Sequence, residues 1–112
     1  MEKRQEVTQI QAEMCSAVAD PSRILIIYEL AKGPRNVSKL AKALNLTPSA
    51  TSRHLKILRD SDFVSAIRKG HKVEYSLLTP QIIDALDIFL EILNNQLAHR
   101  AKLLKVERYN EE

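Results

Sequence analysis

Four side chains that carry or can take up positive charge, Arg53, His54, Lys56 and Arg59, crowd one short segment after Leu46-Thr47-Pro48. Small residues, Ser49, Ala50 and Ser52, lie just before and among them. A second basic group, Arg68, Lys69, His71 and Lys72, surrounds Gly70. Guanidinium and ammonium groups neutralise phosphates, and Arg also pairs bidentately with the edge of a guanine. Small side chains let a backbone approach base edges, and serine hydroxyls add donors. The chemistry on offer is recognition of a polyanion rather than bond-making. No phosphate loop, metal cluster or acid-base pair is present, and no nucleophile-base-orienter arrangement can be built on the three histidines. No enzyme, catalytic residue, cofactor or metal site is therefore expected. His54 faces either the nucleic acid or the packing of helices, and spacing leaves both open.

The elements that must hold these groups can be read in turn. Val37 to Leu44 predicts a short helix, Asn45-Leu46-Thr47 a tight polar turn, and Pro48 to about Ser61 a second helix. Thr47 is its N-cap and Pro48 takes the first helical position. Leu55, Leu58 and Ile57 face inward, which leaves Ser49, Ala50, Ser52, Arg53 and Lys56 facing out. This is the pattern of a helix-turn-helix, whose second helix enters the DNA major groove. After Asp60-Ser61-Asp62 the period changes to two. Phe63 to Ile67 and Val73 to Leu77 read as two strands around the turn Lys69-Gly70-His71, a basic hairpin or wing. A two-stranded ribbon alone is marginal, so it must lie on the helices.

The flanks are helical. Glu2 to about Val18 is amphipathic through Val7, Ile10, Met14, Ala17 and Val18. Asp20 caps a second helix that starts at Pro21, carries Ile24 to Tyr28 and Leu30 on nearly all sides as core, and stops at Gly33-Pro34. Thr79-Pro80 caps the last helix, from about Gln81 to Val106, with an apolar stripe of Ile82, Ile83, Leu86, Phe89, Leu90, Leu93 and Leu97, and Leu103 and Leu104 beyond. Roughly 25 residues at 1.5 Å each make about 38 Å, more than a small domain needs to cover its own core. Long apolar stripes at both termini suggest a homodimer, which suits paired half-sites. The expectation is one mainly α domain over residues 1–112 with a small β-hairpin wing: a winged helix-turn-helix that dimerises through about 1–18 and 81–106.

Bulk composition agrees. The chain has 112 residues, 45% hydrophobic, with few aromatics and no Trp, which favours helices over a sandwich. Its net charge of +3 hides an uneven distribution. Residues 32–75 hold ten basic side chains against three acidic ones, an excess of seven that leaves the two ends together at −4. The basic excess coincides with the helix-turn-helix and the hairpin, and a nucleic-acid partner is the natural reading. A single cysteine points to a reducing compartment. Met1 runs straight into charged residues rather than a secretory leader, and the apolar run Ile24 to Tyr28 is too short to span a bilayer. A cytoplasmic protein without membrane contact is expected.

Four segments together resemble the ArsR/SmtB family of winged-helix repressors: Ala19-Asp20-Pro21-Ser22-Arg23-Ile24-Leu25-Ile26-Ile27; Asn36-Val37-Ser38-Lys39-Leu40-Ala41; Leu46 through Asp60; and Val73-Glu74-Tyr75-Ser76-Leu77 after a basic wing. The match covers roughly residues 14–90. It implies a dimer that binds double-stranded operator DNA, usually to repress, and is often released by metal ions. The family's metal sites do not carry over. Where its thiolate site has cysteines before an Asp-Leu-Ala, this chain has Asn36 and Ser38, with Lys39 in place of the aspartate. Where its C-terminal zinc site needs an aspartate, two histidines and a glutamate, the residues are Asp84, Leu86, Leu97 and Arg100. Apolar and cationic side chains cannot ligate zinc.

The candidate interface is thus Ser49, Ala50, Ser52, Arg53 and His54 toward bases, Lys39, Lys42, Arg59, Arg68, Lys69 and Lys72 toward the backbone, with Lys56 and His71 on the same DNA-binding surface. Two alternatives stand beside it. One is a thiol- or metal-responsive sensor with a relocated site at Cys15 or His99, although a lone cysteine on an apolar helix is usually a small core residue. The other is a winged-helix module that binds protein. The operator and any small-molecule or redox effector are beyond reach of the sequence.

Overall fold

The structure, a computed structural model, describes residues 3–111, with side chains described through Leu103. The expected helix start at Glu2 and the side chain of Leu104 lie outside the described residues. The elements are α1 (Lys3–Val18), α2 (Pro21–Ala31), β1 (Arg35–Asn36), α3 (Val37–Leu44), α4 (Pro48–Asp60), β2 (Val64–Lys69), β3 (Lys72–Leu77) and α5 (Gln81–Glu111). They form two compact units, one ending at Pro80 and one beginning at Gln81.

In the first unit the capping residues set the helix starts. The Asp20 carboxylate accepts the backbone N–H of Arg23 at 3.1 Å, and Pro21 occupies the first turn of α2. The Asn36 side chain accepts from Lys39 N at 2.9 Å and starts α3. At the far end of α3, Asn45 adopts φ 56°, a left-handed conformation that Asn tolerates better than most residues. That reversal fixes the tight turn into α4.

The core of this unit contains Ile26, Ile27, Leu30, Leu40, Ala41, Leu55, Leu58, Phe63 and Val64. Helix α2 packs on α1, α3, α4 and β3, yet it is not enclosed on all sides as expected, because Leu25 is 51% exposed. On α1 only Ala17 is buried. Val7, Ile10 and Met14 are exposed, and so is Cys15, which is not the core residue that its setting suggested.

The sheet has three strands, in the order β1-β3-β2, all antiparallel. The expected two-stranded ribbon omitted β1, which pairs Arg35 with Tyr75 and Asn36 with Glu74. Two residues squeezed between Gly33-Pro34 and a helix are too few to display alternation. The hairpin is also tighter than expected. Strand pairing runs out to Lys69 opposite Lys72, leaving only Gly70 and His71 in the loop. Gly70 at φ 65° supplies the positive φ that the first central position of a type II′ turn requires.

Thr79 does not cap the last helix. Its hydroxyl donates to the Asp62 carbonyl at 2.8 Å, and Leu78 N donates to Phe63 O at 2.9 Å. These bonds tie the end of the sheet to the α4–β2 corner, where Asp62 sits at φ 61°. The second unit is α5 alone. At 31 residues it runs past the expected end at Val106, about 46 Å of helix. Ile88, Phe89, Leu90, Ile92, Leu93, Leu97 and Leu103 are exposed along it. Among the described residues no helix is long and apolar enough to cross a membrane.

Candidate nucleic-acid interface

Helix α4 is built to present one face. Thr47 caps it, its Oγ1 accepting from Ala50 N at 3.1 Å. The carbonyl of Thr47 accepts both the N–H of Thr51 at 3.0 Å and its hydroxyl at 2.8 Å. Thr51 is fully buried, a placement that a polar residue type does not advertise. Its back-bond satisfies the hydroxyl and leaves its methyl to pack. With Thr51, Leu55 and Leu58 turned inward, Ser49, Ser52, Arg53, Lys56 and Arg59 are exposed and Ala50 is half-buried. Residues 49, 52, 53 and 56 recur at three- and four-residue steps, so they share one face of the helix.

The cations of this unit differ in their pairing. Lys56 Nζ lies 3.1 Å from Asp60 Oδ2, and Lys69 Nζ lies 3.1 Å from Glu74 Oε1 across the hairpin. Both are exposed pairs, worth about 0–1 kcal/mol, so a phosphate can displace either carboxylate. Among the described residues, Lys39, Lys42, Arg53, Arg59, Arg68 and Lys72 form no ion pair. All six are exposed, as is His71 at the hairpin tip.

His54 stands apart from the other candidates. Its side chain is only 13% exposed, with Nδ1 3.2 Å from an Arg23 Nη and 3.9 Å from Asp20 Oδ2. Of the two readings open for it, the structure takes helix packing. A sequence signal for this did exist: Thr51, His54, Leu55 and Leu58 fall at i, i+3, i+4 and i+7, the inward stripe of a helix. Nothing in the sequence marked Arg23 or Asp20 as its partners. The Arg23 N–H, and less strongly the Arg23 charge, hold the Asp20 carboxyl below the usual carboxylate range. A depressed carboxylate favours the fold above its ordinary titration range, and that contribution is lost as pH falls through the lowered value.

The positions that would carry metal do other things. Asn36 spends its side chain on the α3 cap. Leu97 and Arg100 are exposed on α5. Among the described residues no three His, Cys, Asp or Glu side chains converge closely enough to hold an ion.

Because the Thr47 cap orients the first turn of this face, Thr47→Ala removes one acceptor from that turn. A decrease of about 1 kcal/mol in stability is expected, read as a lower denaturant midpoint with unchanged slope. An unchanged midpoint would mean that another group takes over the cap.

Comparison with known proteins agrees with this geometry. Residues 20–66, from the α2 cap into the wing, match the profile described as "Bacterial regulatory protein, arsR family". The chain is 37% identical over 76 residues to the HTH-type transcriptional regulator NmtR of Mycobacterium tuberculosis, covering 68% of this chain and 63% of that protein. It therefore spans somewhat less than two thirds of that relative's length. It is 32% identical over 78 residues to the transcriptional repressor SdpR of Bacillus subtilis, covering 70% of this chain and 87% of that one. In fold it is similar to the homodimeric winged helix-turn-helix DNA-binding domain of Mb0332 from Mycobacterium bovis. The TM-score is 0.77 at 22% identity, covering 88% of this chain and 92% of that one. The profile match takes in the whole helix-turn-helix, α3 through α4, and the chain belongs to the ArsR family of bacterial regulatory proteins.

Proposed function

We propose that the protein is a homodimeric, sequence-specific DNA-binding transcriptional repressor of the cytoplasm, with no catalytic activity. The observation that carries this reading is the divided α4: Thr51, Leu55 and Leu58 buried on one side, Ser49, Ser52, Arg53, Lys56 and Arg59 exposed on the other. Arg53 is the principal base reader, with Ser49, Ala50 and Ser52 beside it. Lys39, Lys42, Lys56, Arg59, Arg68, Lys69 and Lys72, with His71, contact phosphates. This division follows general practice in DNA recognition, where backbone contacts fix register and base contacts specify. The dimer reading rests on the exposed apolar residues of α1 and α5, and on the homodimeric state named for the Mb0332 domain.

Replacing Lys69 and Lys72 together by Ala tests the wing. Each phosphate that is no longer neutralised takes roughly 0.9 from the slope of log affinity against log salt. Lys69 starts out paired with Glu74, so the double variant is expected to lower the slope by between about 1 and 2, on operator and random duplexes alike. A slope that does not move means that the wing leaves DNA untouched.

A further inference from the structure

Arg23 uses its whole guanidinium at one three-element corner. Its Nε donates to the Ala17 carbonyl at 2.6 Å and one Nη to the Ser16 carbonyl at 3.5 Å. Both carbonyls belong to the last turn of α1, where helix carbonyls lack partners within the helix and a cation is favoured. The other Nη points at His54 Nδ1, 3.2 Å away on α4. A guanidinium has donors and no acceptor, so this contact is a hydrogen bond only when Nδ1 carries the lone pair. The imidazole must be neutral, with its proton on Nε2.

The surroundings make that requirement consequential. Asp20 Oδ2, the only carboxylate oxygen paired with the ring among the described residues, is 3.9 Å from Nδ1. Its Oδ2 already accepts from Arg23 N. On α1 the nearest titratable side chains in sequence are the exposed Cys15 and Glu13, whose carboxylate accepts from Gln9. On α4 itself the adjacent charges, Arg53 and the Lys56–Asp60 pair, are exposed. A proton on Nδ1 would delete the acceptor that Arg23 uses and bring two cations together. The ring would have to swing toward Asp20 to find a partner.

We propose that Arg23 is a positioning residue for α4: through a neutral His54 it ties the recognition helix to the end of α1, and preference for operator over other DNA depends on that tie. The positioning role rests on the DNA-binding reading of α4. A proton on Nδ1 removes the acceptor that Arg23 uses, so protonation of the ring opens the tie. Exposed His71 acts on phosphates of any sequence, and the ratio of operator to random-duplex affinity cancels its effect.

The test has two arms. Imidazole nitrogen shifts of the free protein at about pH 8 should show His54 Nδ1 as the unprotonated acceptor, and Arg23→Gln should perturb that signal. Finding Nδ1 protonated there overturns the tie whether or not DNA binds. In the second arm, affinity is measured for a selected operator and for a random duplex of equal length, at about pH 8 and about pH 6. The ratio for the unaltered chain should fall about fivefold on acidification, the lower end of ordinary coupling between sites. Arg23→Gln should show the reduced ratio at both pH values. His54→Asn, which keeps an acceptor but does not titrate, should hold the high ratio at both. Thermal melts confirm that each variant is folded; if Arg23→Gln is not, His54→Asn and the unaltered chain still decide. An unaltered chain with a pH-independent ratio, or a His54→Asn that responds like it, overturns the proposal. If the unaltered chain shifts no duplex at either pH, the DNA-binding reading falls and the positioning role falls with it, while the nitrogen shifts still report the tie by itself.

Discussion

In sedimentation at micromolar concentration, Leu93→Glu should run as a monomer where the unaltered chain runs as a dimer. Leu93 is 47% exposed on α5, in a row with Phe89, Leu90 and Leu97 at helical spacing. So much apolar surface on one element marks an interaction site, and a second copy would cover it. In a twofold interface each substitution counts twice, once from each protomer. A carboxylate left buried without a partner costs about 3–5 kcal/mol, so two of them exceed what an interface of ordinary size can spare. Most of the operator affinity should disappear with the dimer, because each protomer reads one half-site. The first unit should stay folded, since Leu93 is exposed and is not among the buried core residues. A dimer that survives the substitution places the interface elsewhere.

Arg53→Ala should weaken operator binding by about 1–3 kcal/mol, roughly 5- to 150-fold, and relax base preference at one position in each half-site. Arg53 is exposed, forms no ion pair among the described residues, and stands on the face opposite Leu55 and Leu58. It can therefore enter a groove without first breaking an ion pair. Neighbouring Lys56 must give up Asp60 to do the same. Equal weakening on operator and random duplex would make Arg53 a phosphate contact instead. The fold should be indifferent, because nothing in the core rests on this side chain.

The helix starts were legible because capping chemistry is local. Asp20-Pro21 and Thr47-Pro48 each place an acceptor and a ring within two residues, and both helices begin there. Thr79-Pro80 carries the same signature and the last helix does begin at Gln81, but the Thr79 hydroxyl goes to the Asp62 carbonyl, seventeen residues away in sequence. Strand β1 was invisible for a related reason. Its two residues become a strand only through Tyr75 and Glu74 on β3. Tertiary pairing of that kind leaves no local trace.

The exposed face of α4 followed from helical periodicity, since placing Leu55 and Leu58 inside leaves the basic residues outside. Thr51 and His54 lie on the inward stripe too, but their polar side chains masked it until their partners were known. For Thr51 the partner is the Thr47 carbonyl, and for His54 it is Arg23. The ion pairs Lys56–Asp60 and Lys69–Glu74 show the limit of counting charges. The basic excess of this region is real, yet part of it is internally matched. Nor could the sequence settle how much of α1 would be covered: Val7, Ile10 and Met14 make a sound amphipathic pattern, and all three are exposed in the single chain.

Selection of bound duplexes from a random pool tests the central claim most directly. Enrichment of one inverted repeat is expected. Its half-sites should lie about one helical turn apart or a multiple of it, as a twofold pair of recognition helices requires. Binding should weaken steeply with salt, and the Arg53→Ala protein should enrich the same repeat with one position per half-site degenerate. A pool that stays random after repeated rounds, or affinity that ignores salt, would contradict sequence-specific DNA binding by this chain.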